Sequence, residues 1–290
     1  MNVVDAHVHF WQLARGDYDW LAPDFAALYR DFVPDDLIAA LDAHGVGAVI
    51  AVQAAQTEAE SRYLLQLARA QPRIAGVVGW VDFEAGDVAA RIAALCAEGD
   101  GLLKGLRPMV QDLADPQWLA RPRLDSAFDA MLRYDLAFDA LVRPLQLPAL
   151  QVRLQRHPQL RVVLDHAAKP VIGGAGFAAW ADGLAQLAQY QNVLCKLSGL
   201  LTELPADADV AAIEPYVAQV FASFGPRRVM WGSDWPVLTQ RAGYRDWFAQ
   251  AQALVARHAA GAAADVFAGT ARRFYRLPDP PPFTDRTPPR

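Results

Sequence analysis

The chain has 290 residues, 53% of them hydrophobic and 20% charged, with a net charge of −5. That balance describes a globular protein able to bury a large core. It argues against nucleic acid as a partner, because the basic residues gather only in pairs, Arg227-Arg228 and Arg272-Arg273. It also argues against a membrane span, which needs an apolar run of about 20 residues.

Apolar, β-rich runs alternate with amphipathic, Ala- and Leu-rich stretches along the chain. Strands are predicted over 3–9, 46–53, 74–81, 101–107, 136–142, 161–166, 192–198 and 228–233. Helices are predicted over 35–44, 58–70, 86–98, 124–134, 147–157, 177–190, 210–224 and 244–258, with a last one over 263–276. Pro34-Asp35-Asp36 opens the first helix with acidic residues at its positive end, and Gly45 follows it as a cap. Residues 10–33 form a long connection rich in aromatics, placed over the mouth of the fold.

Eight strand–helix alternations at this length predict an α/β fold, a (β/α)8 TIM barrel over 1–277, followed by a Pro-rich tail over 278–290. A doubly wound open sheet is the competitor, but it announces a Gly-rich phosphate turn after its first strand. Here that position holds His7-Val8-His9-Phe10-Trp11. Gly173-Gly174-Ala175-Gly176 lacks the dinucleotide spacing and reads as a flexible loop. No signal peptide is expected, since the amino terminus runs straight into the His-x-His segment. Cys96 and Cys195 read as free thiols of a reducing compartment, so a cytoplasmic setting is expected.

Barrel active sites sit at the carboxy-terminal ends of the strands. In a regular strand residues i and i+2 share a face, so His7 and His9 should be neighbours, with Asp5 below them. Asp234, at the end of the last strand, meets the pair if the sheet closes on itself. Imidazole and carboxylate hold Zn²⁺-like ions and move protons near neutral pH. The mouth should also receive Arg107 from strand 4, Asp139 or Arg143 from strand 5, His166 after strand 6, and Lys196 and Ser198 from strand 7. Arg107 is the better candidate to hold a substrate carboxylate or hydroxyls, and Lys104 should face the other way as a structural lysine. Asp139 and Asp165 are expected to orient a base or a ligand. His44, His157 and His258 fall at helix ends and read as solvent-facing caps.

Four segments carry a family resemblance: Asp5-Ala6-His7-Val8-His9-Phe10-Trp11, Asp165-His166-Ala167-Ala168-Lys169-Pro170, Lys196-Leu197-Ser198-Gly199 and Gly232-Ser233-Asp234-Trp235-Pro236. Together they resemble the amidohydrolase superfamily, and within it the branch of sugar lactonases and pyrone-dicarboxylate lactonases. The resemblance runs in order from about residue 3 to about residue 276. It implies a hydrolase on a distorted (β/α)8 barrel, with metal ligands at His7, His9 and Asp234 and His166 nearby. The chain departs from the binuclear members, because strand 5 offers no histidine and Lys104 lies mid-strand, where it is not placed to bridge two metals. One divalent ion such as Zn²⁺, held weakly or dispensable, is therefore expected. Thr270 stands where relatives often carry Asn, a change expected to affect only helix capping.

The expected reaction is hydrolysis of a small lactone, a sugar-acid lactone of the fuconolactone kind, in a chain free to form a homo-oligomer. Asp234 is the expected general base. His7, His9 and any ion would polarise the carbonyl, and His166 would orient the water or protonate the leaving oxygen. Arg107, Trp11, Trp20, Trp235 and Lys169 are expected to hold the substrate. A zinc-dependent non-oxidative decarboxylase and a non-catalytic binding barrel are the alternatives.

Overall fold

A computed structural model describes residues 2–278, so the expected tail over 278–290 lies, but for its first residue, outside the described residues. Eight strands follow one another around one parallel sheet in chain order. They are β1 (Val3–Val8), β2 (Val46–Val52), β3 (Ile74–Gly79), β4 (Leu103–Leu106), β5 (Ala137–Ala140), β6 (Val162–Leu164), β7 (Val193–Leu197) and β8 (Val229–Trp231). All eight fall inside the expected spans. Each is trimmed because its last residues leave the ladder to line the mouth.

The helices are α1 (Pro34–Ala43), α2 (Glu58–Ala70), α3 (Val88–Gly99), α4 (Asp125–Arg133), α5 (Leu147–Arg156), α6 (Phe177–Leu187), α7 (Glu214–Phe224), α8 (Tyr244–His258) and α9 (Thr270–Tyr275). The result is a (β/α)8 barrel. Start signals in the sequence act as expected: Thr57 caps α2 by accepting from the Glu60 N–H at 3.0 Å. Residues 210–213, expected in α7, form a 3₁₀ turn opened by Asp209, and the expected last helix begins as a π turn over Asp265–Gly269.

The barrel closes beyond the ends of its ladders. Val8 pairs in parallel with Trp235, the His9 N–H donates to Trp235 O (2.7 Å), and the Asp234 N–H donates to His7 O (2.9 Å). Closure and the meeting of His7, His9 and Asp234 are thus one event.

Two cores flank the sheet. A large one lies between the strands and their helices. A smaller one fills the barrel interior with Val4, Ala6, Ile50, Val52, Val163 and Met230, and it includes Phe274 and Tyr275 of α9, which plugs the end away from the mouth. Among the described residues no helix is long and apolar enough to cross a membrane.

Four expectations are corrected. Asp5 is not below the histidines: the register of β1 against β2 shifts between Asp5 and Val8, and this irregularity turns Asp5 toward the helix layer. There its carboxylate accepts from the Ser233 N–H (2.8 Å) and the Tyr244 hydroxyl (2.9 Å). His157 is buried against Phe128 and Arg153 rather than facing solvent. Thr270 does not cap α9; its hydroxyl donates to Arg227 O and ties the helix to the turn before β8. Trp11 and Trp235 are buried in an aromatic cluster with Phe32 and do not line the cavity at the barrel mouth.

Candidate active site

The long loop after β1 folds back through pairing of Trp11 with Phe32, and Trp20 is left 37% exposed on the mouth with its indole N–H donating to Ala54 O (2.7 Å). Below it lies a cavity of about 260 Å³, lined by His9, Trp20, Arg107, His166, Lys169 and Asp234. Ala54, Met109, Gln111, Asp112, Leu141, Thr202 and Val237 complete the wall. The expected substrate contacts Arg107, Trp20 and Lys169 are therefore on the cavity. Trp11 and Trp235 stand behind its wall, because an apolar indole gains more from full burial in the cluster than from a wet rim. A larger groove of about 450 Å³ between α5 and α6 is apolar and carries none of the imidazoles.

Three histidines converge on one carboxylate oxygen. Asp234 Oδ1 lies 3.3 Å from His9 Nε2, 3.7 Å from His7 Nε2 and 3.9 Å from His166 Nε2. Two of these groups sit on strained backbone: Asp234 has φ +61°, and His166 opens a run of four left-handed residues ending at Lys169. Such a residue costs roughly 1–2 kcal/mol. The run is held by the Trp180 indole donating to Ala167 O (2.8 Å) and by the Lys169 N–H donating to His166 O (2.9 Å). Gly199, itself at φ +62°, makes room for the His166 ring, since a Cβ there would lie 2.3 Å from Nδ1.

Beneath the mouth lies a buried ionic layer. Lys196 Nζ reaches Asp139 Oδ2 (2.5 Å), Asp165 Oδ1 (2.9 Å) and His7 Nδ1 (3.0 Å). Tyr275 donates to Asp139 Oδ2 (2.6 Å), and Arg107 contacts Asp165 Oδ2 (3.3 Å) while its Nε donates to Gln53 Oε1 (2.9 Å). Asp139 and Asp165, expected to orient a base or a ligand, both lie in this layer. Arg143 is exposed and 3.9 Å from Glu203, and Lys104 is half-buried over Gly76; neither joins the site.

Burial sets the electrostatics. It pushes the Asp234 carboxyl up, but the His166, His9 and His7 imidazoles outweigh it and hold Asp234 below the usual carboxylate range. Burial lowers His166 to about 4, with Asp234 pulling the other way, and lowers His7 well below its ordinary value, with Lys196 adding to the effect. At neutral pH Asp234 is ionised, and His7 and His166 are neutral.

The donor set fits one divalent ion: ligand atoms of His7, His166 and Asp234 lie within 4.8 Å of one another, all buried. His9 adds a fourth, since its Nδ1 donates to Val52 O (2.8 Å) and leaves Nε2 facing Asp234. His166 thus joins the expected set of His7, His9 and Asp234. No second cluster of this kind occurs among the described residues. Gln53, Gln111, Asp112 and Thr202 had no signal in the sequence, because single polar residues in loops carry no spacing.

Fold and site together define a barrel hydrolase with a His/Asp group able to hold a divalent ion. The amidohydrolase family model matches residues 4–277, and the chain belongs to that family. It is 46% identical over 282 residues to L-fucono-1,5-lactonase of Burkholderia ambifaria, covering 96% of each chain. It is 38% identical to L-fucono-1,5-lactonase of Burkholderia multivorans, covering 96% of this chain and 97% of that one. Among solved structures, a zinc-bound amidohydrolase from Burkholderia multivorans superposes with a TM-score of 0.87 at 35% identity, over 96% of this chain and all of that one.

Proposed function

We propose that this chain is a lactonase that opens a sugar-acid lactone of the L-fucono-1,5-lactone type by hydrolysis. The observation that carries the reading is the 46% identity to a lactonase of that specificity along 96% of both chains. The cavity of about 260 Å³ suits a single sugar ring, with the Trp20 face available to its C–H groups and Arg107 and Lys169 to its oxygens.

Asp234, ionised and at the centre of the imidazoles, takes a proton as water adds to the ring carbonyl carbon. Arg107 and the His7 imidazole face the carbonyl oxygen, where negative charge develops, while His9, whose Nδ1 donates to Val52 O, presents the Nε2 lone pair as an ion ligand. Ser198 Oγ lies 2.9 Å from His166 Nδ1; when it donates there, His166 keeps its proton on Nε2. The bond between carbonyl carbon and ring oxygen then breaks, the ring oxygen takes the Nε2 proton, and a second water relays the proton from Asp234 back to His166, whose Nε2 lies 3.9 Å from Asp234 Oδ1. The product is the open-chain hydroxy acid. A zinc ion held by His7, His9, His166 and Asp234 supplies, when bound, Lewis-acid polarisation of the carbonyl.

The partner is a small molecule rather than nucleic acid, in keeping with the net charge of −5. A cytoplasmic setting is supported by the free thiols of Cys96 and Cys195.

Asp234→Asn tests the assignment. Acid release from L-fucono-1,5-lactone should fall about 10²–10⁴-fold in kcat, the usual range for a lost general base, with the fold unchanged by circular dichroism. Near-normal turnover by the folded variant overturns Asp234 as the base. No turnover by the unmodified chain on a panel of sugar lactones overturns the lactonase reading itself.

A further inference from the structure

His7 is a ligand in the ion-bound reading of this site, and a ligand nitrogen must present a lone pair. Hydrogen bonds around His7 make the opposite demand. An ammonium group has only donors, so the 3.0 Å contact from Lys196 Nζ to His7 Nδ1 is a hydrogen bond when Nδ1 carries the lone pair. With Nδ1 bare, the ring's one proton sits on Nε2, at the mouth, and the 3.4 Å approach of Arg107 Nη1 to that atom is the longer, weaker contact. That proton has an acceptor 3.1 Å away in His9 Nε2, because His9 Nδ1 faces the Val52 carbonyl and must donate there. A single proton satisfies the contact between the two Nε2 atoms.

The structure also holds the partner for the other tautomer. Asp165 Oδ1, which Lys196 Nζ approaches at 2.9 Å, also lies 3.5 Å from His7 Nδ1. With the proton on Nδ1 and donated to Asp165, Nε2 becomes a lone pair aimed at Asp234, the carboxylate–histidine arrangement common behind metal ligands. Lys196 and Asp165 therefore compete for one nitrogen, and the outcome decides whether His7 meets the site as a donor or as a ligand.

We propose that Lys196 is a positioning residue that holds His7 in its Nε2–H tautomer, ready to donate to a carbonyl oxygen, at the expense of affinity for a divalent ion. Donation to the lactone carbonyl rests on the lactonase reading; the tautomer and the ion affinity do not. The layer behind Lys196 keeps it in place: Asp139, itself held by Tyr275 from α9, anchors the ammonium from the side away from the mouth.

The test uses the full chain stripped with chelator and ¹⁵N-labelled at histidine. Long-range ¹H–¹⁵N spectra distinguish the two tautomers, and His7→Gln identifies the His7 signals. The proposal expects a protonated Nε2 and a bare Nδ1 in the ion-free protein. In Lys196→Met it expects the proton on Nδ1 and Zn²⁺ bound about tenfold or more tightly, measured by competition with a chromogenic chelator. A protonated Nδ1 in the ion-free unmodified chain overturns it. So does a folded Lys196→Met whose zinc affinity is unchanged or weaker. If that variant fails to fold, the spectrum of the unmodified chain decides alone. Lactone turnover is measured separately, so loss of the lactonase reading leaves the tautomer result standing.

Discussion

His166 shows how one residue's burial reaches the stability of the whole chain. In the unfolded chain its imidazole takes up a proton near the ordinary value of 6.5, but in the fold only near 4, because burial disfavours the charged ring. Between those values the unfolded state binds more protons, so the stability that neutral His166 contributes is present above pH 6.5 and is lost as the pH falls toward 4. From pH 7 to pH 5 the loss is about 2 kcal/mol from this group. His166→Asn should remove that share. Urea unfolding of chelator-treated protein at the two pH values should therefore show the variant losing about 2 kcal/mol less than the unmodified chain. Equal losses would mean that His166 titrates alike in both states. The residue was legible in the sequence through its motif, Asp165-His166-Ala167-Ala168-Lys169-Pro170. Its left-handed backbone was not, since nothing in that string other than its end at Pro170 departs from ordinary helix or strand chemistry.

At the scale of elements, the turn from His166 to Lys169 stores strain that neighbouring elements must hold. Trp180, buried in α6, does so through its indole bond to Ala167 O. Trp180→Phe keeps most of the apolar volume and removes the bond, leaving a buried carbonyl short of a donor. The expected cost is about 1–2 kcal/mol in urea unfolding. Turnover should fall with it, through a looser His166 rather than weaker substrate binding, so kcat should drop more than KM rises. A variant with unchanged stability and kcat would show that the turn holds itself. The elements were well predicted because hydrophobic period is local: α2 and α8 carry the expected spans, and every strand lies within its own. What failed was strict alternation in β1, where the irregularity between Asp5 and Val8 sends Asp5 outward. A register shift depends on the neighbouring strand, which a single segment does not reveal.

Across the whole molecule, α9 links the closed end of the barrel to the mouth. Tyr275 donates to Asp139, Asp139 pairs with Lys196, and Lys196 reaches His7. Among the described residues Asp139 Oδ1 finds no hydrogen bond, so Asp139 Oδ2 carries the load for a buried carboxylate that burial already pushes up from its ordinary pKa. Tyr275→Phe should cost about 2 kcal/mol, the range for a bond to a charged group, at an unchanged urea m-value. A loss under half a kcal/mol would mean that Lys196 alone satisfies Asp139.

The sequence by itself determined the barrel, the strand ends that feed the mouth, and the set His7, His9, His166 and Asp234. Periodicity and strand termini place side chains without knowledge of any partner. Only the tertiary structure decided which polar residues pair beneath the mouth, that Trp11 and Trp235 are buried while Trp20 is half in solvent, and which nitrogen of His7 meets the site. Those outcomes depend on groups far apart in the chain, 189 residues in the case of Lys196 and His7, competing for the same few ångströms. Such competition is settled by hydrogen-bond geometry in a low-dielectric interior, after the chain has closed on itself.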